Sequence, residues 1–165
     1  MHPYQTLLVP LDPCGCAELV LVRAIELAEA LSAGLVLLIV VNPPAGVHLG
    51  DPALGGTVRD GLRAEAESRL AELTALARPK VRQVDGVLRF GEVVPTVLAE
   101  AEAQGAGMIV MGTHGRTGLR RVLLGSVAES VIRQATVPVV VVHAPEGTAD
   151  APSRAWTQAS AEADG

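Results

Sequence analysis

Short unbroken aliphatic runs alternate along the chain with longer stretches whose apolar residues recur every three or four positions. The first run, TLLVPL at residues 6–11, is closed by Asp12-Pro13 and reads as a buried strand ending in a turn. Residues 16–32 place Val20, Ala24, Leu27 and Leu31 at helical spacing, with Glu18, Glu26 and Glu29 elsewhere around the wheel and Gly34 as the stop. Residues 35–41 are purely aliphatic and of strand length, bounded by Gly34 and Asn42-Pro43-Pro44. Residues 42–57 carry three prolines and four glycines and read as a loop. A loop of that length in a compact domain suggests a binding or mobile segment.

A second helix follows, with Val58, Leu62, Ala66, Leu70, Leu73 and Ala77 as its buried stripe and Arg59, Arg63, Glu65, Glu67, Arg69 and Glu72 on the wet side. Residues 81–90 form a more polar strand, whose Arg82, Gln83, Asp85 and Arg89 suit a sheet edge. Residues 92–104 predict a third helix that tolerates Pro95 near its start, and MIVM at 108–111 a fourth strand between glycines. After a loop over 113–124 come a fourth helix at 126–134 and a fifth strand, VPVVVV, opening on Val137 and closing on Val142, with Pro138 where an edge position allows it.

Five strands alternating with helices through right-handed crossovers predict an α/β fold: one doubly wound, five-stranded parallel sheet of order 3-2-1-4-5, a Rossmann-like or flavodoxin-like three-layer sandwich. In that order the winding reverses between the first and fourth strands. Asp12 and the segment Gly112 to Gly115 are then expected to face each other across a crevice at their carboxyl ends. The domain is expected to occupy residues 1–144. Residues 145–165 hold Ala, Ser, Gly and acid with few large apolar side chains, the composition of a disordered tail.

Composition narrows the function. Hydrophobic residues are 49% of 165 while aromatics are 2%, so the core is built of Val, Leu, Ile and Ala, as buried parallel strands require. No apolar run approaches the length of about 18 residues that spans a bilayer, and the N-terminus lacks a basic region before its first strand, which points to the cytoplasm. A net charge of -5, with most of the excess acid toward the C-terminus, excludes the footprint of a nucleic-acid binder. Cys14 and Cys16, one residue apart, suit neither a disulfide nor a complete metal site and read as free thiols, with redox sensing as a minor alternative.

The candidate chemistry lies in Gly112-Thr-His114-Gly115-Arg116-Thr-Gly-Leu-Arg120-Arg121-Val-Leu-Leu-Gly125-Ser126, between the fourth strand and the fourth helix. Glycines there let backbone amides approach a phosphate, and Gly125-Ser126 opens a helix whose free N–H groups and positive dipole end favour an anion. The competing explanation is structural: Ser126-Val-Ala-Glu129 matches a capping box in which Ser126 serves its own helix, and the glycines form turns.

The spacing Gly112-x2-Gly115-x9-Gly125-Ser126 resembles the ATP-binding signature of the universal stress protein family. Residues 111–142 follow that family's pattern, including Thr136-Val137-Pro138, and Val9-Pro10-Leu11-Asp12 resembles its first strand and ribose-contacting Asp. The resemblance implies that Pro10, Asp12 and Val41 border the adenine and ribose, with Met111 beneath the base. Gly112 would approach the ribose, and Gly115, Gly125 and Ser126 would hold phosphates. His114 and Arg116 are further candidates for phosphate contact, with Arg120 and Arg121 behind them. The family often has a small hydroxylated residue soon after this Asp, whereas Pro13-Cys14-Gly15-Cys16 stands here. The implied ligand is ATP, with or without magnesium.

Other nucleotide and hydrolase classes lack their parts. Lys80, the one lysine, follows Pro79 far from any glycine run, which removes a P-loop. A phosphoacceptor receiver needs a lysine after its fifth strand, where His143-Ala144 stands. No Gly-x-Ser-x-Gly elbow, His-Glu-x-x-His helix or metal-ligand set is present in the sequence, and no acid or base for rapid catalysis is visible. Two readings survive. One is a stress-response regulatory protein that uses bound ATP as a switch, with hydrolysis slow at most. The other is a non-enzymatic dimerisation or binding module that takes AMP, another nucleotide or none. The uncovered aliphatic run at 137–142 predicts a homodimer through that edge, with neither nucleic acid nor membrane as partner.

Overall fold

The computed structural model of the protein describes residues 4–12, 17–42, 55–113 and 124–143. Its elements follow in the order β1 (Thr6–Pro10), α1 (Ala17–Leu31), β2 (Gly34–Val41), α2 (Gly55–Ala77), β3 (Val84–Phe90), α3 (Val93–Ala103), β4 (Met108–Gly112), α4 (Ser126–Gln134) and β5 (Val139–Val142). The strands form one sheet of order β3-β2-β1-β4-β5, and every pairing is parallel. The expected α/β architecture and strand order are those observed.

Successive side chains of a strand point to opposite faces, and the two faces here carry separate cores. Leu7, Val9, Leu35, Leu37, Ile39 and Val110 pack with α1 and α2. Leu8, Val36, Leu38, Ile109 and Met111 pack with α3 and α4. Because β1 and β2 are covered on both sides, they read in sequence as continuous apolar runs rather than as alternation. Each fully buried Leu, Ile or Val contributes about 1.5–3 kcal/mol by leaving water. Among the described residues the twelve largest fully buried side chains are all Leu, Ile or Val, so this aliphatic core holds the fold.

Several boundaries differ from the sequence pattern for local reasons. In α1 the buried residues are Ala17, Val20, Leu21, Ala24, Ile25 and Ala28, while Leu27 and Leu31 are only half-buried. Both flanks of the predicted stripe are apolar there, so the pattern leaves the helix's rotation loosely defined. Helix α2 begins at Gly55, inside the predicted loop. Strand β3 starts at Val84 rather than residue 81, because the Val81 amide donates to Ala77 C=O at 3.0 Å and so closes α2. Strand β5 starts at Val139, one residue after Pro138, whose carbonyl accepts from the Ile109 amide at 2.9 Å although Pro itself has no N–H to give.

Arg69, expected on the wet side of α2, is half-buried and ion-paired to Glu18 of α1 and, at 3.1 Å, to Glu72. Burial opposes its charged form. The hydrogen bonds and fields of Glu18 and Glu72 outweigh that, and they hold the guanidinium above its ordinary range. Glu18 stands in the first turn of α1, where a carboxylate also suits the helix dipole.

Candidate functional site

The site is positioned by the reversal of winding. From β1 the chain steps through α1 to β2 on one face of the sheet. From β4 it steps through α4 to β5 on the other. Helices α1 and α4 therefore leave the carboxyl ends of adjacent strands toward opposite faces, the arrangement at which open parallel sheets bind their ligands.

On the β1 side, pairing extends one residue past the strand, with the Leu11 amide donating to Leu38 C=O at 2.8 Å. This fixes the backbone just before Asp12, which is half-buried at the end of β1. Pro10 is half-buried, opposite Leu38.

On the β4 side, Gly112 pairs with Val142 as the last residue of its strand. The Thr113 amide donates to Val142 C=O at 3.1 Å, and Thr113 C=O accepts from the Gly125 amide at 2.8 Å. That second bond clips the two ends of the intervening loop together and sets the start of α4 against the end of β4. Thr113 Oγ1 also lies 3.4 Å from His143 Nδ1 at the end of β5.

Gly125 is the N-cap residue of α4, with φ -59 and ψ 148. Those angles are open to any residue, so turn formation does not require glycine there; what glycine provides is the missing side chain. Its amide is committed to Thr113, and the donors the helix leaves free of intrahelical partners are the first-turn N–H groups of Ser126, Val127 and Ala128. The capping-box alternative is not what the structure has. Ser126 stands one residue inside the helix and exposed, and the Glu129 carboxylate accepts from Arg133 at 2.8 and 3.1 Å.

Met111 is buried with Ala128 and Val131 in the core beneath α4, whereas Val41 lies half-buried on the opposite, α1/α2 face. The Val41 carbonyl accepts from the Gly91 amide at 3.1 Å. The structure thus brings Asp12, Gly112, Gly125 and Ser126 to the ends of the two central strands and α4. It sets Val41 one strand further out. His114, Gly115 and Arg116 lie outside the described residues, as do Cys14, Cys16, Arg120, Arg121 and the tail. Among the described residues no group of three His, Cys, Asp or Glu side chains could hold a metal ion. None of the described helices is long and apolar enough to cross a membrane.

Sequence reasoning passed over Thr113, whose carbonyl and amide join β4, β5 and α4. The available signal was a hydroxylated residue directly after the strand-ending Gly112, a usual place for a turn that bonds its own backbone.

Residues 3–143 match the universal stress protein family. Universal stress protein MJ0531 of Methanocaldococcus jannaschii is 32% identical over 145 residues, covering 87% of this chain and 84% of that protein. Among solved structures, the universal stress protein UspA from Lactobacillus plantarum superposes with a TM-score of 0.74 at 25% identity, covering 84% of this chain and 97% of that one. The universal stress protein from Archaeoglobus fulgidus in complex with dAMP superposes with a TM-score of 0.60 at 25% identity, covering 86% and 98%. With the sheet order, the clipped β4–α4 connection and the Gly112-x2-Gly115-x9-Gly125-Ser126 spacing already in hand, these matches show that the chain belongs to the universal stress protein family.

Proposed function

We propose that this protein is a stress-response regulator that binds ATP in the crevice between β1 and β4 and uses the bound nucleotide as a switch, with hydrolysis slow at most. The observation that carries the reading is the start of α4. The Thr113–Gly125 bond holds a helix N-terminus at the switch point, with first-turn amides that have no intrahelical partner to compete with an anion and, at Gly125, a residue whose backbone angles do not call for glycine. Close approach of a ligand is the reason this reading gives for the missing side chain.

In this reading Asp12 accepts from the ribose hydroxyls, Pro10 and Val41 border the adenine, and Met111 supports it from the core beneath. Gly112 lies along the ribose. Gly115, Gly125 and Ser126 take the phosphates, with His114 and Arg116 adding charge and donors, and magnesium accompanies the polyphosphate. The protein acts in the cytoplasm, as a homodimer through β5. A second reading, a non-enzymatic module that holds AMP, draws support from the relative solved with dAMP.

Calorimetric titration with ATP and with AMP, each with and without magnesium, separates the two. Under the first reading ATP binds more tightly than AMP and magnesium strengthens it. Gly125→Val is the sharpest variant, because valine adopts the observed angles without strain while its side chain intrudes on the cradle. A loss of about 30-fold or more in ATP affinity, roughly 2 kcal/mol, with an unchanged melting profile is expected. Wild-type affinity in the variant would sink the assignment.

A further inference from the structure

The carboxyl end of β3 carries Phe90, the one phenylalanine of the chain, in register with Val41 at the end of β2. Two guanidinium groups from the same face of α2 stand over its ring, Arg59 at 5.1 Å and Arg63 at 5.2 Å from the centroid. Arg63 also meets Glu67 at 3.5 Å. Arg23, Arg69, Arg89 and Arg133 each have a carboxylate partner, whereas among the described residues none lies within ion-pair distance of Arg59, nor of Arg78 or Arg82. A protein of net charge -5 thus keeps two cations together, one of them paired to a carboxylate, at the carboxyl end of the sheet.

We propose that Arg59 and Arg63, stacked on Phe90, form the base-reading end wall of the nucleotide crevice, and that this wall admits 6-oxopurine nucleotides, guanine nucleotides foremost, alongside adenine ones. The inference rests on the nucleotide reading above. With the ribose at Asp12 on β1 and the base against Val41 on β2, the six-membered ring of the purine, with the C6 substituent at its tip, points toward β3. That is one strand spacing further on, about 4.8 Å.

A guanidinium has five donors and no acceptor. On the N7 flank of that tip adenine offers an acceptor beside an amino donor, which faces the cation unpaired. The edge of guanine offers O6 and N7, two acceptors spaced for a bidentate fork. A well-formed fork of this kind discriminates between bases by roughly 5- to 150-fold. The ring contributes by holding the guanidinium planes in place beforehand, which lowers the ordering cost of binding. The competing role is plain coverage, in which the arginine stems shield Phe90 and their charged heads stay in water.

Titration of the full chain with GTP and with ATP, in the wild type and in the double variant Arg59→Met/Arg63→Met, tests the proposal. Methionine keeps an unbranched apolar stem over Phe90 and removes every donor, and circular dichroism melting verifies the fold. The wild type is expected to bind GTP at least as well as ATP, and the variant to lose about tenfold or more in GTP affinity with ATP affinity unmoved. A wild type that binds ATP but not GTP overturns the proposal, as does a variant whose GTP-to-ATP affinity ratio equals the wild type's. A wild type that binds neither nucleotide overturns the nucleotide reading, and this inference with it.

Discussion

The two edges of the sheet are built differently. Strand β3 has seven residues and carries exposed Asp85 and Arg89, charges that blunt an open edge. Helix α2 lies close over it: a Cβ added at Gly86 would stand 3.1 Å from Leu70 Cγ and from Thr74 Oγ1. Arg89 ties the edge to α3, donating to the buried Glu100 carboxylate at 2.9 and 3.1 Å, and Gln104 adds a third donor at 2.7 Å. Strand β5 is four valines without a charge, three of them half-exposed. Beside it runs an open cleft of about 430 Å³, lined by Arg23, Glu26 and Leu27 of α1 and residues 140–143. One edge is finished within the chain. The other has the form of half an interface, which is the physical ground for the proposed homodimer.

The largest expected effect comes from giving β5 the device that β3 already has. Val141→Lys puts a charge on a half-exposed position that belongs to neither packed core, so the protomer is expected to keep its fold. In a two-fold interface each substitution occurs twice, and two lysines brought to one seam repel. Dimer dissociation should strengthen by about 100-fold, roughly 2.7 kcal/mol, and light scattering at micromolar concentration should give the monomer mass. A variant as dimeric as the wild type would show that β5 is not the seam. A wild type that is itself monomeric would remove the dimer and leave β5 as an unprotected edge.

The finished edge should fail by losing stability instead. Arg89→Met leaves the Glu100 carboxylate, whose side chain is 6% exposed, without its cation. Removing one partner of a fully buried pair costs about 3–5 kcal/mol. Arg89 itself is half-exposed and Gln104 still donates to Glu100, so about 2 kcal/mol is expected. Chemical denaturation should report this loss, with assembly unaffected. The companion variant Glu100→Gln should lose less, because a neutral amide needs no counter-ion. If Arg89→Met were neutral, the β3 edge would owe its order to α2 alone.

Both edges were legible in sequence, though unequally. Charges within residues 81–90 marked an edge, and the valine run after Pro138 marked another. Period and punctuation were enough for the strand order and for the bounds of α4, since Gly125 and Gln134 bracket a short, strongly two-faced helix. What escaped were features that depend on distant residues. Arg69 sits among exposed charges in sequence, and Glu18, 51 positions away, makes it an inter-helix bridge. Glu100 looks like any surface acid of an amphipathic helix until β3 brings Arg89 to it. At the site, the glycine spacing pointed to the segment after β4, and the strand order pointed to Asp12 across from it. Neither showed that the Gly125 amide closes the loop on Thr113, because a backbone bond leaves no trace in side-chain pattern. Ser126 and Glu129 illustrate the converse: their spacing satisfies a capping rule, yet Gly125 is the N-cap and Ser126 already lies inside the helix, which sets the rule aside.

The smallest expected effect tests whether the cleft beside β5 is covered. Arg23 and Glu26 lie 2.7 Å apart on α1, each more than half exposed, and exposed pairs of this kind contribute about 0.2–0.5 kcal/mol. In a Val141→Lys background, where β5 is expected to stand alone, Arg23→Gln should change stability by no more than that, and added salt should erase the difference. In the wild-type background the same substitution reports on the partner. If a second copy lies over the cleft, the pair is drawn out of water and Arg23→Gln alters the dimerisation constant, so the two substitutions become non-additive. Additivity would mean that the seam runs along β5 without reaching α1. The β5 interface would then be a narrow strand-to-strand contact, held by backbone pairing rather than by the helix beside it.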